Sequence, residues 1–184
     1  MPLRITIQPR DLWDERSGKF ITLEKPVELS LEHSLVSISK WEAKWKKPFL
    51  SNEPKTEEEK LDYIKFMTLT QNVRDDVYYM LDTETVKRID EYTNDAMTAT
   101  TFSDNKQAQT TYRNEVITSE VIYYMMFANN IPVEFQKWHL NRLLALIKVC
   151  SIKNSPPKKM SKRETAASYA ALNKARRAKH HTKG

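Results

Sequence analysis

Apolar and polar residues alternate at the start of the chain and take on helical spacing after about residue 34. Leu3, Ile5 and Ile7 alternate with polar neighbours, which predicts a half-buried strand. Phe20-Ile21-Thr22-Leu23 predicts a second, and Val27, Leu29 and Leu31 alternate again. Between them Glu15-Arg16-Ser17-Gly18 reads as a turn, with Gly18 placed to supply a positive φ. The first thirty-odd residues thus predict a small β element of two or three strands. A hairpin of this size is marginal alone and must pack on something.

Helical patterns follow. Ser34 is placed to cap a helix over residues 35–47, with Leu35, Ile38, Trp41 and Trp45 at three- and four-residue steps and Pro48 ending it. Thr56-Glu57-Glu58-Glu59 is a capping box, and Leu61, Ile64 and Met67 line the apolar face of a helix running to about Thr70. Residues 75–81 predict a short helix. Thr83 is the expected cap for another over residues 84–92, with Val86, Ile89 and Tyr92 on one side. The threonine-rich residues 97–102 read as a strand able to pair with Val116-Ile117. Residues 103–114 hold no aliphatic side chain larger than Ala108 and read as an exposed loop. Thr118 or Ser119 caps a helix through Ala128, closed by Asn129-Asn130, since asparagine tolerates the left-handed conformation.

Residues 132–154 carry the strongest apolar signal. Pro132 suits a first helical position. Leu140, Leu143, Leu144 and Ile147 form one stripe, and Phe135, Trp138, Leu146 and Val149 a second. A helix apolar on nearly every side is normally enclosed by others, so this segment is expected to be the central helix of the core.

At Pro156-Pro157 the composition changes. Residues 153–184 hold ten Lys/Arg against Glu164 alone, a net charge of +9, while the remainder carries −3. Alanines at 166, 167, 170, 171 and 175 favour helix, but Tyr169 and Leu172 are the only large apolar groups after Ser161. The expected organisation is a globular domain over residues 1–154 and a basic tail over 155–184. The expected fold class is α+β, mostly α-helical: an N-terminal β-hairpin or sheet packed on a helical bundle, with a detached basic C-terminal helix.

Composition narrows the chemistry. With 40% hydrophobic residues the chain can bury a real core. Met1 to Arg10 shows no apolar run behind a basic start, and the longest unbroken apolar run of the central segment falls far short of the roughly 20 residues of a membrane span. No secretory signal or membrane insertion is expected. Glycine occurs only at Gly18 and Gly184, which excludes the glycine-rich loops that cradle phosphates. Cys150 is the single cysteine, so no internal disulfide forms.

Catalytic groups are sparse. His139 has no orienting acid on its own face and no adjoining nucleophile, so a structural role is expected. The pair His180-His181 is a weak metal motif without further ligands in the tail. No catalytic group, cofactor or metal is assigned. The candidate partner-binding residues are Trp41 and Trp45 in the body and Lys158, Lys159, Lys162, Arg163, Arg176 and Arg177 in the tail. Tyr63 and Phe66 join them where exposed, although aromatic residues at helical spacing default to the core. The tail cations suit phosphates, an acidic protein surface or plain solubility.

With these residues in view, the chain resembles a family of small tail assembly chaperones from long-tailed bacteriophages of Gram-positive hosts. The resemblance rests on LEHSLVSISKWEAKWKKPFL (31–50), MTATTF (97–102), EVITSEVIYY (115–124) and above all FQKWHLNRLLALIKVCSIKNSPPKKMSKRE (135–164). None of these is a catalytic signature. The resemblance implies a non-enzymatic protein that binds the long, largely helical tape measure protein, keeps its apolar surface soluble, and leaves as tail tube subunits polymerise. It further implies self-association along that client, action in the cytoplasm of the infected host, and absence from the mature virion. In many such phages a programmed frameshift near the end of the gene yields a longer form, and Lys158-Lys159 is compatible with a slippery A-rich run. Two other classes stay open: a nucleic-acid-binding protein working through the tail, and a structural component of the virion. An enzyme is the least favoured class.

Overall fold

Proline sets the shape of the N-terminal β element. The computed structural model of the protein describes residues 2–14, 18–102, 116–155 and 162–180. Strand β1 (Leu3–Ile7) pairs antiparallel with β4 (Val27–Leu31), from Leu3 opposite Leu31 to Ile7 opposite Val27. Strand β2 (Arg10–Asp14) pairs antiparallel with β3 (Lys19–Leu23), from Arg10 opposite Leu23 to Asp14 opposite Lys19. Together they form one long hairpin broken in the middle. At the break Gln8 and Pro9 face Glu24, Lys25 and Pro26, and the extra residue shifts the register by one. Neither proline has an N–H to donate, so the ladder does not run through. Gly18 takes a φ of +64° at the hairpin turn, the conformation expected of it.

The three strands predicted for this N-terminal element are present, and β2 is an addition. Its apolar pair Leu12-Trp13 is adjacent rather than alternating, so periodicity gave no signal. Pairing with β3 creates it, and Trp13 meets Phe20 edge-on with ring centroids 4.9 Å apart. In the other ladder Ile5, Ile7, Leu29 and Leu31 are buried.

Helix α1 (Leu35–Trp45) begins at Ser34, which forms a capping box with Ser37, and ends at Lys46 in the left-handed conformation. Helix α2 (Glu57–Met67) begins at the Thr56–Glu59 capping box. Its exit covers the free edge of β4: Leu69 N donates to Ser30 O at 2.7 Å and Glu32 N to Met67 O at 2.9 Å. An unpaired strand edge is a template for other chains, and here the molecule closes its own. A short 3-10 helix, Asp75–Met80, leads to α3 (Thr83–Asn94). The cap of α3 is Asp82 rather than Thr83, because its carboxylate accepts from Thr85 N at 2.7 Å from extended backbone. Helix α4 (Ser119–Ala128) follows Thr118, and Asn130 turns the chain beyond it with a φ of 53°.

Two expectations are corrected. Residues 97–102 form no strand, and neither do 116 and 117. Met97 is left-handed and donates its N–H to Asp95 Oδ1, while Thr100 N donates to Thr98 Oγ1. These local bonds supply the backbone with partners that a ladder would otherwise provide. The loop expected at 103–114 lies outside the described residues.

The continuous central helix over 132–154 is also absent. Pro132 precedes a 3-10 helix, Val133–Lys137, and helix α5 starts only at Leu140 and runs to Asn154. Between them His139 bridges Ser34, and Leu140 N donates to His33 O at 2.7 Å. The chain is extended there because it pairs with the segment that enters α1. Leu140, Leu143 and Ile147 are buried, whereas Leu144, Leu146 and Val149 are half-buried. The hub is α1, which packs against α2, α4 and the 3-10 helix Val133–Lys137. Its Leu35, Ile38 and Trp41 are almost wholly enclosed.

The chain is thus α+β and mostly helical. It divides into two compact units between Ile152 and Lys153, inside the last turn of α5. The second unit holds α6 (Lys162–His180), whose side chains are exposed from Ala166 to His180.

Candidate functional site

The two tryptophans expected to meet a partner brace α1 against α2 instead. Trp41 is 1% exposed and its indole N–H donates to Glu59 O at 2.8 Å. It lies outside any partner's reach in this fold. Trp45 is half-buried and donates to Asp62 Oδ2 at 3.1 Å, an oxygen that Lys44 also engages. Lys47 pairs with Glu59 at 2.6 Å and holds that carboxyl below its ordinary range. Burial takes Tyr63 too, whereas Phe66 is half-buried.

In the tail, Arg163, Arg176 and Arg177 are exposed on α6. Lys162 opens that helix, and Lys158 and Lys159 lie outside the described residues. Tyr169 and Leu172, three residues apart, stand in solvent at 63% and 46% exposure.

The structure reveals a feature the sequence did not: an open groove between α2 and α3. One cavity of about 540 Å³ is lined by Leu50, Ile64, Val86 and Ile89 among others, and a second of about 330 Å³ adjoins it toward Tyr78, Tyr79 and Leu81. Both are lined by Glu57, Lys60, Ile64 and Val86, so they adjoin along this row and together make up the trough. Leu50, Tyr79 and Val86 are exposed large apolar side chains, and all three belong to it. The apolar stripes of α2 and α3 were legible. That they diverge at the surface and leave Val86 uncovered depends on how the helices cross.

Beneath the trough lies a buried polar cluster. The Tyr63 hydroxyl and His33 Nδ1 share a hydrogen bond of 2.5 Å, and the His33 ring sits edge-on to His139 with centroids 5.0 Å apart. His139 Nε2 donates to Tyr92 O at 3.0 Å, and Tyr92 donates its hydroxyl to Glu32 Oε1 at 2.7 Å. Burial, then repulsion from His139, lowers the pKa of His33 to about 3. Burial lowers His139 as well, against the bond to Tyr92 that favours its charge. The phenol of Tyr63 is pushed far up by burial. At neutral pH both imidazoles are therefore uncharged and the Tyr63 phenol is intact, and among the described residues the His139 Nδ1 lone pair has no hydrogen-bond partner. Ser37 Oγ, the hydroxyl nearest Tyr63, donates to Ser34 O at 2.7 Å. A histidine titrating near 3 takes no proton at neutral pH, so the arrangement acts as a hydrogen-bonded wall rather than an acid–base pair.

Lys55 closes one end of the trough. Its ammonium lies over the rings of Phe49 and Trp41, 4.5 and 5.7 Å from their centroids, and burial lowers its pKa. Among the described residues no group of three or more His, Cys, Asp or Glu is arranged to hold a metal ion, and no helix is long and apolar enough to cross a membrane. No family model, curated protein or solved structure matches the chain.

Proposed function

We propose that the chain is a non-catalytic binding protein for helical partners: a phage tail assembly chaperone that holds the tape measure protein in solution while the tail is built. One observation carries this reading. A body with a filled core still presents large apolar side chains to solvent: Leu50, Tyr79 and Val86 around the trough, and Tyr124 and Phe127 on α4. Exposed apolar side chains gathered around a groove, as Leu50, Tyr79 and Val86 are, mark interaction sites for other macromolecules. Methionine and aromatic residues also adapt to varied helical clients. The family resemblance of residues 31–50 and 135–164 supplies the name of the client. On the same reading the protein works in the cytoplasm of the infected host, self-associates along the client, meets the tail tube protein as it departs, and is missing from finished particles.

The test is a tagged pull-down from cells co-expressing the neighbouring genes, with proteins identified by mass and the 260/280 nm absorbance ratio recorded. A long helical protein with little nucleic acid is the expected result. Nucleic acid that washes off with salt, and no protein client, would sink the reading. That outcome would favour the second one, in which the exposed cations of α6 hold phosphates. Recovery of the chain from purified particles would instead make it a structural component.

A further inference from the structure

We infer that the trough between α2 and α3 is the seat of the client, and that it takes an amphipathic helix with a basic flank. This rests on the proposed function and names the surface that performs it.

Three observations carry the assignment. The first is shape. The two cavities flank the Glu57–Ile64 part of α2, whose length is about 12 Å at about 1.5 Å per residue. That length matches roughly two turns of a partner helix, which would present apolar side chains at i, i+3 or i+4, and i+7. The second is the floor. Ile64 and Ile89 are buried at its base, while Leu50, Val86 and Tyr79 stay exposed along it. Beneath them the neutral His33–Tyr63 pair completes the wall without placing a charge against an apolar ligand.

The third is charge. Glu57, Glu58 and Asp90 line the rim, and Lys60 is the ammonium among them, paired with Glu57 at 2.7 Å. The other lysine of the lining, Lys55, is turned onto the rings of Phe49 and Trp41. Three carboxylates against two ammonium groups, one of them turned away onto the rings, leave the rim net negative, so the complementary occupant brings lysine or arginine beside its apolar face. A helix flanked by carboxylates meets repulsion there.

The probes are two synthetic helical peptides with leucines at the same heptad positions, one filled with lysine and one with glutamate. Binding to the full-length protein is read by fluorescence anisotropy at several salt concentrations. The lysine peptide is expected to bind at least tenfold more tightly than the glutamate peptide. Val86→Glu places a charge on the floor and is expected to lower affinity at least tenfold. Since a floor variant can also disturb packing, the double variant Glu58→Lys with Asp90→Lys provides a second reading. It changes only the rim, and is expected to reverse the peptide preference while leaving the thermal midpoint in place.

Equal binding of both peptides, or wild-type affinity in both variants, overturns the inference. So does a wild-type dimer that Val86→Glu converts to a monomer without any peptide competition, because a second copy then fills the trough. The same variants in the co-expression pull-down separate the two levels of argument. A client retained equally by wild type and variants defeats the trough as its seat and leaves the chaperone reading standing. Peptide binding that follows the rim charge, with no tail protein recovered by the wild type, defeats the chaperone reading instead.

Discussion

His33 is the residue whose environment departs most from its sequence context. A free imidazole titrates at 6.5, and burial beside His139 holds this one to about 3. The folded state therefore prefers the neutral form. Stability from this group is complete above about 6.5 and is lost as pH falls toward 3, because the unfolded chain takes up a proton that the fold refuses. One such histidine removes roughly 2 kcal/mol between pH 7 and pH 5. His139 is shifted in the same direction, so its contribution adds. Urea unfolding at pH 7 and pH 5 is the measurement, in a window where carboxylates have barely begun to titrate. His33→Gln keeps a polar group toward Tyr63 and removes the titration, and its stability is expected to depend less on pH. An unchanged pH dependence would show that burial does not control this group. Trp41 makes a second residue-scale case. Trp41→Ala is expected to cost about 3–5 kcal/mol, since it empties the centre of the core and removes the indole bond to Glu59 O. Trp45→Ala, at a half-buried position, is expected to cost clearly less in the same unfolding experiment.

Among the elements, α4 shows how one helix ends up finishing another. Its cap residue Thr118 makes no side-chain cap bond. The first amide is satisfied from α1, where Glu42 Oε2 accepts from Ser119 N at 2.8 Å while Oε1 accepts from Phe49 N at 2.8 Å. A buried carboxylate at a helix N-terminus is favoured by the helix dipole and by charge-assisted bonding. Glu42→Ala strands both amides and is expected to cost roughly 2–4 kcal/mol, with faster hydrogen exchange at Ser119 as the local signature. Glu42→Gln retains one acceptor oxygen and is expected to lose about half as much. Such contacts mark the limit of what the chain reveals in one dimension. Ser34, Thr56 and Gly18 were legible because capping and positive φ are decided by a few neighbouring residues. The break at His139 was not, since the competing partner, His33 O, lies more than a hundred residues away. The same holds for the site. The stripe of Val86 and Ile89 was read correctly as one side of α3, but its pairing with Leu50 and Tyr79 across an open trough is a product of helix crossing. Trp41 and Trp45 were candidates by residue type alone, and the core claimed the first of them.

At the scale of the whole molecule, charge and packing are separated along the chain. The buried apolar side chains among the described residues all precede Lys153, whereas the segment from residue 153 onward carries +9 of a total of +6. A chain ending at Ser155 keeps twenty-one Lys/Arg against twenty-three Asp/Glu, so its net charge becomes −2. It is expected to retain the thermal midpoint of the full protein, because the core it needs is intact. It is also expected to lose retention on a cation exchanger at pH 7. The full chain then allows a sharper measurement with a short single-stranded RNA. If Lys158, Lys159, Lys162, Arg163, Arg176 and Arg177 all engage phosphates, the logarithm of affinity should fall against the logarithm of salt with a slope of about −4. A slope near that value, abolished in the shortened chain, would establish the tail as a phosphate-binding element. A tail built for an acidic protein surface has no reason to hold six phosphates in register. For the chaperone reading the expected outcome is therefore weak RNA binding with a shallower slope, alongside a client interaction that survives moderate salt because the apolar trough supplies most of it.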